Sequence, residues 1–132
     1  MKKKNVSIII LVAIIAVLIA GWGAKTYIQS NLETLSNLTI SNVELSKIKD
    51  GVYEGSYNAF PVSAVVKVTI SNHTIAGIDI VKHTNGQGGD AEILPDKVVE
   101  AQSLEVDFIS GATYSSKVIL KAIEDALINS NK

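Results

Sequence analysis

The spacing of apolar and polar residues changes several times along the chain, and each change predicts an element. Residues 6–24 carry no charge and are mostly Ile, Leu, Val and Ala. A helix needs about 20 such residues to cross a bilayer, and this run is close to that length. Residues 27–49 are polar, with isolated Leu and Ile. Leu32, Leu35 and Leu38 fall three apart, a spacing that fits a helix continuing out of the apolar run. Val62, Ala64, Val66, Val68 and Ile70 then alternate with Ser63, Val65, Lys67 and Thr69, a period-two strand with one apolar face. After the turn chemistry of Ser71-Asn72-His73, residues 75–82 resume as a strand, with Ile78 and Ile80 on one face and Asp79 and Val81 on the other. The two strands make a β-hairpin.

Shorter signals flank the hairpin. Gly51-Val-Tyr-Glu-Gly-Ser-Tyr57 reads as a strand whose glycines let another backbone or a ligand come close. Phe60-Pro61 marks a turn or strand edge. The glycine-rich stretch from His83 to Asp90 reads as a surface loop, or as a lid whose backbone lies against a flat ligand. Pro95 starts a short helix over 96–102, and Leu104-Glu-Val-Asp-Phe-Ile109 reads as a further strand. The last helix-like run covers 114–129. Ile119, Ile123, Ala126 and Leu127 form its apolar stripe, with Lys117, Lys121, Glu124 and Asp125 elsewhere. The predicted fold is α+β: a small antiparallel sheet (hairpin plus short strands) packed by a C-terminal helix and preceded by one N-terminal transmembrane helix.

Composition narrows the function. Lys2, Lys3 and Lys4 precede the apolar run, and Trp22 and Tyr27 stand at its far end. Basic residues stay on the cytoplasmic side and aromatic rings favour the interface, so the chain is expected at the plasma membrane, single-pass, with its N-terminus cytoplasmic and its domain extracytoplasmic. A cleavable signal peptide starts in the same way, but a small-x-small cleavage site is poorly formed here, which favours an uncleaved anchor. The expected division is a membrane anchor over 1–26, a stalk over 27–49 and a folded domain over 50–132. A net charge of −1 gives no sign of a nucleic-acid surface. The absence of cysteine excludes disulfides, thiol catalysis and a lipid-anchored cysteine. His73 and His83 have no metal-site spacing and read as turn or strand residues.

The segment Asp107-Phe-Ile-Ser-Gly-Ala-Thr113 places two hydroxyls, a glycine and a carboxylate at the mouth of the last helix. Helix N-termini expose free N–H groups and partial positive charge, which suits a phosphate. Ser and Thr are also ordinary helix caps, so the tetrapeptide alone has both readings.

In this setting the chain from Asp50 to Leu127 resembles the FMN-binding domain family, which includes flavin-carrying subunits of NADH:quinone and ferredoxin:NAD oxidoreductases. The resemblance rests on Asp50-Gly-Val-Tyr-Glu-Gly55, the hairpin, and Val106-Asp-Phe-Ile-Ser-Gly-Ala-Thr-Tyr-Ser115. It implies that Thr113 carries FMN covalently through a phosphoester, installed by a separate flavin transferase that uses FAD and magnesium. Gly111 and Ala112 would leave room for the phosphate. Ser110 can donate to phosphate oxygens or cap the helix. Asp107 would repel a neighbouring phosphate, so transferase recognition or turn geometry suits it better. Tyr53, Tyr57 and Tyr114, with the Gly86–Gly89 loop, are available to stack on the flavin ring, and tyrosines in half-buried strands also serve as core or rim.

The resemblance implies an electron carrier more than a self-sufficient enzyme, fed by a membrane oxidoreductase or quinol. The alternatives are a flavin-dependent reductase acting on a small acceptor, or a cofactor-free surface interaction or sensory module.

Overall fold

The computed structural model of the chain describes residues 2–84 and 89–130. The apolar run continues through Leu32 and Leu35 as one unbroken helix, α1 (Lys2–Ser36), long and apolar enough to cross a membrane, and Leu38 falls just past its end. Strands β1 (Gly51–Ala59), β2 (Val62–Ser71) and β3 (Thr74–Thr84) make an antiparallel sheet in the order β1-β2-β3. The alternation in β2 is realised residue for residue: Val62, Ala64, Val66, Val68 and Ile70 are buried, and the residues between them are not. At the β2–β3 turn Asn72 and His73 have φ of 52° and 60°. Two consecutive positive φ angles make the primed turn whose twist matches the strands. The Asn72 amide donates to Asp50 Oδ1 (2.8 Å) and His73 Nδ1 to the Ile48 carbonyl (2.9 Å), so this turn is tied to the chain that enters β1.

Two bulges in β3 decide which side chains face inward. Ile70 pairs with Ile75 and Thr69 with Gly77, which leaves Ala76 extra; Val66 pairs with Ile80 and Val65 with Lys82, which leaves Val81 extra. Side chains alternate faces along a strand, so one extra residue inverts the phase of everything after it. The bulge at Val81 therefore sets His83 opposite Ala64 on the buried face. The strict alternation read from the sequence holds only between the bulges, over Ile78–Ile80.

A 3-10 turn (Gly89–Ile93) and helix α2 (Leu94–Ala101) follow, with Pro95 in the first helical turn as predicted. Gln102 ends α2 in the left-handed region (φ 52°). Its side-chain amide pairs with Ile75 as a strand would, accepting from the Ile75 N–H (2.7 Å) and donating to its carbonyl (2.9 Å). Residues 104–109, read as a strand from their alternation, are irregular. Their amides go elsewhere: Leu104 N–H to Asn42 Oδ1 (3.3 Å), Val106 N–H to the Leu104 carbonyl (3.0 Å) and Ile109 N–H to Ser116 Oγ (3.0 Å). A segment whose donors are committed to side chains and local turns cannot build a ladder.

Helix α3 (Thr113–Asn129) packs on β1 and β2 and is buried on nearly every side. Its apolar stripe faces the sheet, as predicted. Its other side also has a partner, because residues 35–48 run across it. Leu35 and Ile48 are fully buried in the core, and the Ser41 amide donates to Glu124 Oε2 (3.2 Å). Lys117 and Glu124 are therefore only 8% and 6% exposed, where the sequence pattern places them outside the stripe. Lys117 Nζ donates to the carbonyls of Leu35 (3.0 Å) and Ser36 (2.6 Å). Both carbonyls stand at the negative end of α1, where a cation serves hydrogen bonding and dipole together; that of Leu35 also accepts from the Leu38 amide (3.1 Å). We expect Lys117→Met to lower stability by about 1–2 kcal/mol, because the buried Leu35 carbonyl and the more open Ser36 carbonyl lose a charged donor while the apolar volume is kept. A urea-unfolding midpoint in detergent would measure it.

Candidate functional site

The segment from Asp107 to Ser116 is shaped by one tight turn. The Ala112 amide donates to the Ile109 carbonyl (2.9 Å), and Gly111, third residue of that turn, has φ of 78°. A type II turn needs positive φ at that place, where glycine carries no steric cost. Space around Gly111 is open, so the glycine is required by the backbone and not by a neighbour.

Ser116, absent from the sequence-based site, locks the turn to the helix. Its buried hydroxyl accepts from the Ile109 amide (3.0 Å) and donates to the Ala112 carbonyl (2.7 Å). A serine three residues after a suspected acceptor looks like any residue of a first helical turn, and no sequence signal separates it from Ser115. Ser116→Ala is expected to cost about 1–3 kcal/mol, since the partly buried Ile109 amide is left without its acceptor. Hydrogen exchange at Ile109 and Ala112 should speed up more than in the sheet.

The helix starts without a side-chain cap. Its N-cap residue is Ala112, so the capping role open to Ser110 is not the one it takes; Ser110 lies exposed. Among the described residues no acceptor is found for the amides of Thr113, Tyr114 and Ser115, whereas the Ser116 amide bonds to the Ala112 carbonyl (2.9 Å). Three free N–H groups at a helix N-terminus form a receptive place for an anionic group. Thr113 is the first residue of α3, exposed, and its hydroxyl makes no hydrogen bond among the described residues. Asp107 is exposed as well. Among the described residues, Thr113 thus presents a hydroxyl beside helix amides that have no protein acceptor.

The predicted aromatic partners divide. Tyr53 and Tyr57 pack against the core, and Tyr53 donates to the Lys49 carbonyl (2.8 Å), so both serve the fold. Tyr114, next to Thr113, is 41% exposed. Phe108 is similarly open, with Lys117 Nζ 5.6 Å from its ring centre, and sequence reasoning did not single it out. Of the Gly86–Gly89 loop, residues 86–88 lie outside the described residues.

Behind Thr113 a polar chain runs into the domain. His83 Nε2 is 3.1 Å from Ser115 Oγ, and His83 Nδ1 is 3.1 Å from Glu92 Oε1. The ring is 1% exposed and the carboxylate 50%. Sequence distance hides this trio, and the bulge at Val81 is what makes it possible. It braces the first turn of α3 against β3 and the 3-10 turn. A cleft of about 190 Å³ lies farther along α3, lined by residues that include Tyr57, Lys121 and Asp125, and does not include Thr113.

The family model for the FMN-binding domain matches residues 61–128, from the β1–β2 turn to the end of α3. Three curated proteins are similar. An uncharacterized protein of Treponema pallidum (strain Nichols) is 34% identical over 85 residues, covering 62% of this chain and 24% of its own length. The NADH:acrylate oxidoreductase of Vibrio harveyi is 30% identical over 113 residues, covering 80% of this chain and 11% of its own length. The urocanate reductase of Eggerthella lenta is 35% identical over 78 residues, covering 57% of this chain and 13% of its own length. The chain spans about a quarter or less of the length of these relatives.

Proposed function

Because the chain belongs to the FMN-binding domain family, we propose that it is a membrane-tethered, extracytoplasmic electron-transfer protein carrying FMN covalently on Thr113. The observation that carries the reading is the exposed Thr113 hydroxyl beside three helix amides, all without a hydrogen-bond partner among the described residues. These residues fit a phosphoester. The helix terminus favours the negative charge, and Gly111 and Ala112 add no bulk in front of it. Ser110 lies exposed beside them, able to donate a further hydrogen bond.

Attachment is a transfer from FAD. Thr113 Oγ1 bonds to the phosphorus on the riboflavin side, the phosphoanhydride bond breaks, AMP leaves, and the hydroxyl proton passes to a base of the transferase. A threonine hydroxyl is a weak nucleophile unless activated. That assigns activation to a partner enzyme and its magnesium, with exposed Asp107 as a recognition contact. When bound, FMN supplies the redox chemistry, and the protein holds and orients it. A membrane oxidoreductase or quinol is the proposed electron donor.

α1 supports the tether, and the tri-lysine at its start supports a cytoplasmic N-terminus. Direct reduction of a small acceptor is the second reading. It is favoured by the names of two relatives, a reductase and an oxidoreductase, and weakened by the small share of each that this chain spans. Co-expression with a flavin transferase, followed by a denaturing gel, tests the proposal. A fluorescent band at the mass of the chain is expected, and a non-fluorescent band sinks it. Turnover of acrylate-like acceptors by the purified chain alone would favour the second reading.

A further inference from the structure

The β1–β2 turn is brought to the level at which α1 leaves the apolar run. Phe60 sits at the tip of that turn, 54% exposed, and its ring centre is 6.2 Å from that of Tyr27. Asn31 Nδ2 donates to the Phe60 carbonyl (2.9 Å), which holds the turn against α1. The apolar run ends at Ala24. With a rise of about 1.5 Å per residue, Tyr27 lies roughly 4–5 Å beyond that end and Asn31 roughly 10 Å beyond it. The headgroup layer on each side of a bilayer is about 5–8 Å thick. The Phe60 backbone is thus fixed at the outer edge of this layer, and its ring reaches back toward the hydrocarbon to meet Tyr27. Tyr27 (61% exposed) shares that level, and Trp22 (77% exposed) stands near the end of the apolar run on another side of α1.

We propose that the β1–β2 turn is a second membrane contact, with the Phe60 ring seated in the lipid interface beside Tyr27. The proposal rests on the reading of α1 as a membrane anchor. The occupant is the bilayer itself. Tyr27 follows the apolar span by three residues on the same continuous helix, and aromatic rings with polar surroundings favour this layer. The neighbourhood sets the depth. A cleft of about 200 Å³ beside the ring is lined by Asn31, Thr34 and Asn58 as well as by Tyr27 and Tyr57. Those polar groups suit hydrated headgroups and oppose deeper insertion. The domain is thereby held at two points, the helix and the hairpin tip.

The chain's one tryptophan makes the two ideas separable. The full chain is reconstituted in phosphatidylcholine vesicles whose acyl chains carry bromine near the carbonyl end or near the terminal methyl. In the wild type, quenching of Trp22 by bromolipid reports the anchor. In a Trp22→Phe, Phe60→Trp variant, the indole at position 60 should be quenched by the shallow bromines, much less by the deep ones, and weakly by aqueous iodide. A Phe60→Cys variant carrying an environment-sensitive dye, in a chain with no other thiol, should show a blue-shifted emission on vesicle binding. If Trp22 is quenched by bromolipid while both probes at position 60 report water, the turn is not a membrane contact and the anchor stands. If Trp22 is also unquenched, the anchor reading falls and the proposal with it.

Discussion

Replacing Gly55 by alanine is expected to destabilise the domain by about 3–5 kcal/mol, near the upper end for a single substitution. Gly55 is the middle of β1 and faces α3 directly. A Cβ built there would stand 2.7 Å from the Ala126 Cα and nearer still to the Ala122 carbonyl oxygen and the Ala126 amide. Non-bonded carbons rest at about 3.5–4.0 Å, so α3 would have to retreat by an ångström or so along its contact. The atoms in the way are backbone, and no rotamer change can clear them. Retreat would also strain the bonds that fix the pair, Ser56 N–H to Asp125 Oδ2 (2.9 Å) and Asn129 Nδ2 to the Glu54 carbonyl (3.2 Å). Chemical unfolding of the detergent-solubilised protein, followed by circular dichroism, should show a much lower midpoint. A midpoint within experimental error of wild type would mean that the helix does not sit on the strand as described.

Thr113→Val should abolish covalent flavin and leave the fold intact. Valine keeps the shape of threonine and removes the hydroxyl, and that hydroxyl has no structural bond to lose among the described residues. Valine at an exposed first helical position costs at most about 0.5 kcal/mol. The expected result is a normally folded band without fluorescence on a denaturing gel after co-expression with the transferase. Fluorescence that persists would move the attachment to another hydroxyl. Ser110 is the first suspect because it is exposed, whereas Ser115 is buried and bonded to His83.

How much of this was readable in the chain depends on whether a residue's partner lies nearby in sequence. The β2–β3 hairpin is local, so alternation and the Asn72-His73 turn define it. The apolar stripe of α3 and the Thr113 segment are equally continuous. The cover on the far side of α3 is another matter. Residues 37–48 have no period, because apart from one 3-10 turn (Leu45–Lys47) they pack as irregular chain, and their isolated Leu, Ile and Val give no pattern to read. Lys117 looks like a solvated charge until the end of α1, some eighty positions earlier, is placed against it. Leu104–Ile109 shows the opposite failure: it alternates like a strand but finds Asn42 and Ser116 where a strand would need an edge. His83 reads from the sequence as the start of the glycine-rich loop, yet β3 runs on to Thr84; its inward direction follows from a bulge, and nothing in the side chains around Val81 announces one.

On the reading of α1 as a membrane anchor, its continuity from the apolar run into the domain has a consequence for heading. With no joint between span and folded unit, the direction in which Thr113 faces is set by the phase of the helix. One residue inserted between Ala24 and Tyr27 would swing the domain about 100° around the helix axis and lift it only about 1.5 Å. Seven inserted residues would restore the heading to within about 20° while raising the domain about 10 Å. Azimuth and altitude are thus separate variables, each written in the length of a short stretch remote in sequence from Thr113.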